Sequence, residues 1–194
     1  MTGIKNIIKK YRLNALREVV LFMIITMVIH FSFRYWAYEM KFWPVQEEIS
    51  IARNWMADKV YSQSKWIDEN ILRINLTPDD ETRVLYFRNN SYVGVNKSCS
   101  GLKQILQFVI LMLVYPGPWR QKLWFIPAGA LIIHLTNLFR IVSLSVTVLV
   151  DPHRFDFVHD NVVRPLFYIV IFTLWVIWVE KYYPKRIHKT AAKK

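Results

Sequence analysis

Three side chains of this 194-residue chain have the types for acyl-transfer chemistry: Cys99, Arg140 and His159. A thiolate attacks a carbonyl carbon, a fixed guanidinium stabilises the oxyanion that develops, and an imidazole moves protons. Cys99 is the only cysteine, so no intrachain disulfide is available to it. An unpaired thiol outside the reducing cytoplasm is a candidate reactive group, although a lone cysteine is ordinarily a small packing residue. Here it lies in "VNKSCSGLKQIL", where Ser100 and Gly101 make a backbone-permissive start to an apolar run. Such a position at the head of a helix favours thiolate over thiol.

Arg140 is embedded in "NLFRIVSLSVTVLV", with ten mostly apolar residues before Asp151. A charge within such a run is costly, and a functional partner is the default expectation. Asn137, three residues earlier, shares its helix face and is placed to orient the guanidinium or to hydrogen-bond a substrate. His134 falls on a neighbouring face and suits a helix–helix hydrogen bond. His159 belongs to "DPHRFDFVHDNVV", where His153 competes for the same proton-transfer role.

The elements that must position these residues are membrane spans. Hydrophobic residues make up 54% of the chain and are gathered in long runs, which points to a multi-pass membrane protein. Four spans are expected: residues 19–38, a short one over 100–115 stopped by "PGPW", a long one over 123–150, and a last one over 162–179. The net charge of +12 sits at the two ends and in one short turn. Residues 1–18 hold five Lys/Arg against one acid, and residues 180–194 hold six against one. Basic clusters flanking apolar spans read as topology signals, and no basic-aromatic recognition motif accompanies them, so no nucleic acid is expected. Both termini and the turn with Arg120 and Lys122 are then cytoplasmic, in the cytoplasmic (inner) membrane, and segments 39–98 and 151–161 lie outside. Arg140, 17 residues beyond Leu123 or ~26 Å along a helix, reaches that outer face, where Cys99 and His159 also lie.

The outer segment 39–98 divides in two. From Pro44, the apolar residues Ile51, Trp55, Val60, Ile67 and Ile71 recur near helical spacing, so an amphipathic surface helix is expected. "TRVLYFRNNSYVGVNKS" then reads as a β-hairpin, Arg83–Phe87 and Tyr92–Val95, turning at "NNS". The expected fold is therefore an all-α integral membrane protein of about four transmembrane helices, with an extracytoplasmic amphipathic helix and a short hairpin. Its parts are a tail and first span (1–38), the outer segment (39–98), a three-span catalytic core (99–180) and a basic cytoplasmic tail (181–194).

Other chemistries find little support. The chain has no HExxH, no glycine-rich phosphate loop, no GxSxG and no CxxC. The His and Asp residues of "DPHRFDFVHD" imitate a metal site, but no second ligand group accompanies them, so neither metal nor cofactor is expected.

"SCSGL" at the head of one span, "NLFRI" in the next and "VHD" before the last together resemble the exosortase/archaeosortase family of membrane transpeptidases. "VLYFRNNSYVGV" ahead of the cysteine resembles the family's approach to its catalytic residue, and the likeness covers about residues 83–180. The resemblance implies a cysteine protease/transpeptidase that acts on exported proteins with a C-terminal motif, transmembrane helix and basic tail. It would cut them at the extracytoplasmic face and pass the product to an acceptor. It also implies Cys99 as nucleophile, Arg140 as carbonyl or oxyanion stabiliser and His159 as proton-transfer residue, with Asn137, Ser100 and Gly101 binding substrate or supporting. The chain is shorter than typical family members. The alternative is a non-catalytic membrane assembly or scaffold protein, in which Cys99 packs and Arg140 pairs with a partner's acid.

Overall fold

The computed structural model describes residues 2–182, with side chains from Val19 onward. The side chains of the N-terminal basic cluster, and the basic tail from residue 183, lie outside the described residues. The described residues divide into two compact units, one up to residue 44 and one from residue 45.

The first unit is a single helix, α1 (Thr2–Tyr38), whose stretch Val19–Tyr38 is apolar enough to span a membrane. An aromatic cluster closes its C-terminal end. Phe42 folds back edge-on to Trp36 and Phe33, at centroid distances of 5.1 and 5.9 Å, and Trp36 Nε1 donates to the Trp43 carbonyl at 2.9 Å. Aromatic rings of this kind favour the membrane–water interface.

The second unit begins with α2 (Gln46–Trp66), which has Glu47 and Glu48 in its first turn and Lys65 in its last, the signs that suit a helix dipole. A π-helical turn, Ile67–Ile71, prolongs it. Ala57, Val60, Tyr61, Ser64 and Asp68 form the buried stripe. The helix is where the sequence places it, but of the five expected apolar positions only Val60 is buried, and Ile51, Trp55 and Ile71 are exposed. The buried stripe is built largely from small and polar residues, which an apolar pattern does not mark.

The hairpin gains a third strand. β1 (Leu76–Asp79), β2 (Val84–Phe87) and β3 (Tyr92–Gly94) form an antiparallel sheet in the order β1-β2-β3. Pro78 masks β1 in the sequence, since proline cannot donate to a ladder and is tolerated at an edge. Leu85, Phe87, Val93 and Val95 face inward onto Val60 and Tyr61 of α2. They also meet Leu138, Ile141 and Val148 of the long helix α4 (Trp119–Val150). Asn89 Nδ2 donates to the Val148 carbonyl at 2.7 Å and pins the β2–β3 turn to that helix.

The chain then passes through a 3-10 turn, Lys97–Ser100, into α3 (Leu102–Val114), breaks at 115–118 and forms α4. Two short turns, Pro152–Arg154 and α5 (Phe155–Phe157), lead into a π-helical turn, Val158–Val163, and α6 (Arg164–Tyr182). α3, α4 and α6 pack through Phe108, Leu111, Met112, Phe125, Trp175 and Trp178. Gly129 makes the α3–α4 approach possible, because a Cβ there would stand 2.3 Å from Phe108 Cζ. Lys122, expected as a basic topology signal, is buried and donates to the carbonyls of Leu113 at 3.0 Å and Tyr115 at 2.8 Å. It thereby satisfies carbonyls that the end of α3 leaves open.

Among the described residues, four stretches are long and apolar enough to cross a membrane: Val19–Tyr38, Lys97–Val114, Trp119–Val150 and Pro152–Tyr182. The protein is an all-α integral membrane protein with a small open sheet.

Candidate active site

Cys99 does not ride the first turn of a helix. It lies in the 3-10 turn, where the Asn96 side chain accepts from the backbone N–H groups of Ser98 at 2.9 Å and Cys99 at 3.2 Å. Gly101 then takes φ +78°, a left-handed value that separates this turn from α3 and favours glycine. Ser100 is buried beneath the turn.

Two helices brace this turn. From α4, the fully buried Asn137 donates through Nδ2 to the Cys99 carbonyl at 2.7 Å. The carbonyl can only accept, so the amide orientation is fixed by chemistry. Asn137, which the sequence offers for orienting the guanidinium or hydrogen-bonding a substrate, therefore holds the backbone of the cysteine through its Nδ2. It also adds a second reason for glycine at 101, where a Cβ would stand 3.0 Å from Asn137 Nδ2. From α2, Arg53 Nε donates to the Lys97 carbonyl at 3.3 Å, and Lys97 Nζ donates to Ser50 Oγ at 3.4 Å.

Arg140 lies 21 residues into α4, ~32 Å from its start, and is largely buried. Its Nη2 stands 3.9 Å from Cys99 Sγ and 2.9 Å from His159 Nε2. Arginine carries donors only, so His159 Nε2 accepts and the imidazole proton resides on Nδ1. That Nδ1–H donates to Asp160 Oδ1 at 2.7 Å. Asp160 is held in turn by Arg164 Nη1 at 3.1 Å, and Phe155 stacks on the imidazole at 5.7 Å with 10° between the rings. A continuous line of polar contacts runs Asp160–His159–Arg140–Cys99, across the π-turn before α6, α4 and the 3-10 turn.

The structure thus brings Cys99, Arg140, His159 and Asn137 together, with Gly101 and Ser100 in the turn that carries the thiol. His153 is exposed, and its backbone N–H donates to Asp151 Oδ1 at 3.1 Å. His134 bonds Gln63 of α2 at 2.8 Å, the interhelical role its sequence position indicates. Asn96 and Asp160 were missed by sequence reasoning. The signal for Asn96 is an amide two residues before Ser98, a common turn cap; for Asp160 it is a carboxylate adjoining the histidine. Among the described residues no group of three or more His, Cys, Asp or Glu side chains is arranged to hold a metal ion.

A family model described as transmembrane exosortase matches residues 13–176, which includes every residue of the site. The chain belongs to the transmembrane exosortase family. Membership carries a membrane-embedded protease/transpeptidase role in protein sorting. Comparison with curated proteins and with solved structures gave no match. The match extends well upstream of residue 83, so α2, for which the sequence offered no motif, falls within the matched length.

Proposed function

We propose that this exosortase is a cysteine protease/transpeptidase of the cytoplasmic membrane, with both termini in the cytoplasm and its site at the extracytoplasmic face. Its substrates are exported proteins with a C-terminal motif, a transmembrane helix and a basic tail. The observation that carries the proposal is the line of contacts from Asp160 to Cys99 through Arg140 of the spanning helix α4.

As Arg140 turns from His159 toward the incoming carbonyl, His159 Nε2 takes the Cys99 thiol proton, the Sγ thiolate attacks the scissile carbonyl carbon, and the electron pair of the C=O bond moves to oxygen. Arg140, 3.9 Å from the sulfur, stabilises that charge. The tetrahedral intermediate collapses with loss of the amine of the membrane-tethered tail, which leaves protonated. His159 hands the former thiol proton to the leaving amine, and it later takes a proton from the incoming nucleophile and returns it to the sulfur. Water, an amine or a hydroxyl then attacks the Cys99 thioester and restores the thiol. A tail anchored by its own helix meets a thiol at this depth without leaving the bilayer.

The test is a comparison of C-terminal peptides of exported proteins, by mass spectrometry, between hosts with the native protein and with Cys99→Ala. Loss of the mature C-termini and build-up of intact precursors, at unchanged abundance of the variant, is the expected outcome. Normal mature termini with Cys99→Ala would sink the proposal.

A further inference from the structure

The two edges of the sheet are built differently. In the β2–β3 pair, Val95 N–H donates to the Arg83 carbonyl and Phe87 N–H to the Ser91 carbonyl, both at 2.9 Å, with Leu85 opposite Val93. Residues 91, 93 and 95 therefore face β2, and Tyr92 and Gly94 turn their N–H and C=O groups away from it. On the other edge, Thr77 and Asp79 pair with Tyr86 and Val84, which leaves Pro78 facing outward with no N–H to offer. Proline is a common guard against strand addition. The β3 edge has no such guard. Tyr92 is 64% exposed, Gly94 and Asn96 are exposed, and a Cβ at Gly94 would meet only Val84 Cγ2, at 3.7 Å.

This open edge leads straight to the thiol. From Gly94 the chain runs extended to Asn96 and through the 3-10 turn to Cys99, ~10–12 Å in all. About three or four residues of an extended peptide span that distance. The sheet packs on Leu138, Ile141 and Val148 of α4, positions that bracket Arg140, so it lies beside the site. A peptide cut at Cys99 reaches β3 with the segment that precedes its scissile bond.

We propose that the free edge of β3 is a substrate-binding subsite, on which the extended segment preceding the scissile bond docks as an added strand parallel to β3. The proposal rests on the catalytic reading above and gives it a recognition element. Main-chain groups of Tyr92 and Gly94 supply affinity, and alternate side chains of the peptide meet the Tyr86–Tyr92 face.

The experiment places p-benzoylphenylalanine at Tyr92 in the Cys99→Ala protein, in membranes that contain the exported precursors. Cross-linked peptides are mapped against the bond that the native protein cuts. Capture of residues about three to six before that bond is expected. Capture of a second copy of this chain, capture beyond the bond, or no capture overturns the proposal. If the native protein leaves all precursors uncut, the catalytic reading fails. The edge then stands or falls on whether Tyr92 still captures the segment ahead of a C-terminal apolar span. A second pair of variants tests the hydrogen bonds. Gly94→Pro removes an outward N–H that β2 does not use and lowers processing about tenfold. Gly94→Ala keeps that N–H and processes at least about fivefold faster than Gly94→Pro. In both, alkylation of Cys99 by iodoacetamide proceeds as in the native protein, which reports an intact site. Equal processing by the two variants overturns the proposal.

Discussion

Asp68 offers a prediction whose size follows from its surroundings. The carboxyl is fully buried in the π-turn after α2, and neither of its oxygens has a well-formed hydrogen bond. Burial pushes its pKa from 3.8 up to about 6; the neighbouring Ser145 hydroxyl opposes the rise and Glu69 adds to it. The raised value means the fold holds a proton that the unfolded chain releases. Stability from this group is therefore complete below pH 3.8 and lost as pH rises through about 6. A shift of about two units is ~3 kcal/mol at ~1.36 per unit, and local relaxation with water entry reduces this to about 1–2 kcal/mol. Asp68→Asn removes the charge at nearly constant volume. At about pH 7.5 it is expected to melt about 2–8 °C above the native protein in detergent, and below about pH 4 the two should coincide. The assay is a pair of thermal melts across pH, with amide exchange at residues 64–71 as the local readout. An Asn variant that melts lower at neutral pH, or a gap that stays constant with pH, would refute the reasoning.

Other expectations follow from single contacts. Asn137→Ala frees the Cys99 carbonyl; it should cost about 1 kcal/mol of stability and lower processing, read by melting and by C-terminal peptide mapping. Asp160→Ala removes the acceptor that keeps the His159 proton on Nδ1, so processing should fall about 100-fold while Cys99 alkylation and abundance hold. Lys122→Met leaves the Leu113 and Tyr115 carbonyls buried without their donor, and should lower stability by about 1–3 kcal/mol in thermal melts.

Much of the fold was legible because spans and apolar periodicity are written in the residue types themselves. The four spans, α2 and the β2–β3 hairpin all come from such patterns. β1 was not legible, because four residues containing a proline carry no strand signature, and only pairing with β2 gives them one. The buried stripe of α2 escaped notice for a related reason: Ala57, Ser64 and Asp68 are chosen by what packs on them. In the site, Cys99, Arg140 and His159 stood out because a thiol, a guanidinium and an imidazole are chemically conspicuous. Asn137 was found, with Arg140 or a substrate as its expected partner, but its bond to the Cys99 carbonyl was not, since i, i+3 spacing is visible in sequence and a contact 38 residues away is not. Lys122 shows the same limit, because a lysine's charge is visible and its burial under α3 is not.

The nucleophilic role of Cys99 is tested most directly by trapping its acyl form. Membranes making the exported precursors are quenched in acid, and the Cys99 peptide is mapped by mass spectrometry. A hydroxylamine-labile adduct on Cys99 that carries the C-terminal residues of a cut precursor, absent from Cys99→Ala, is the predicted result. Cut precursors with Cys99 never acylated, or cut equally well by Cys99→Ala, would contradict it.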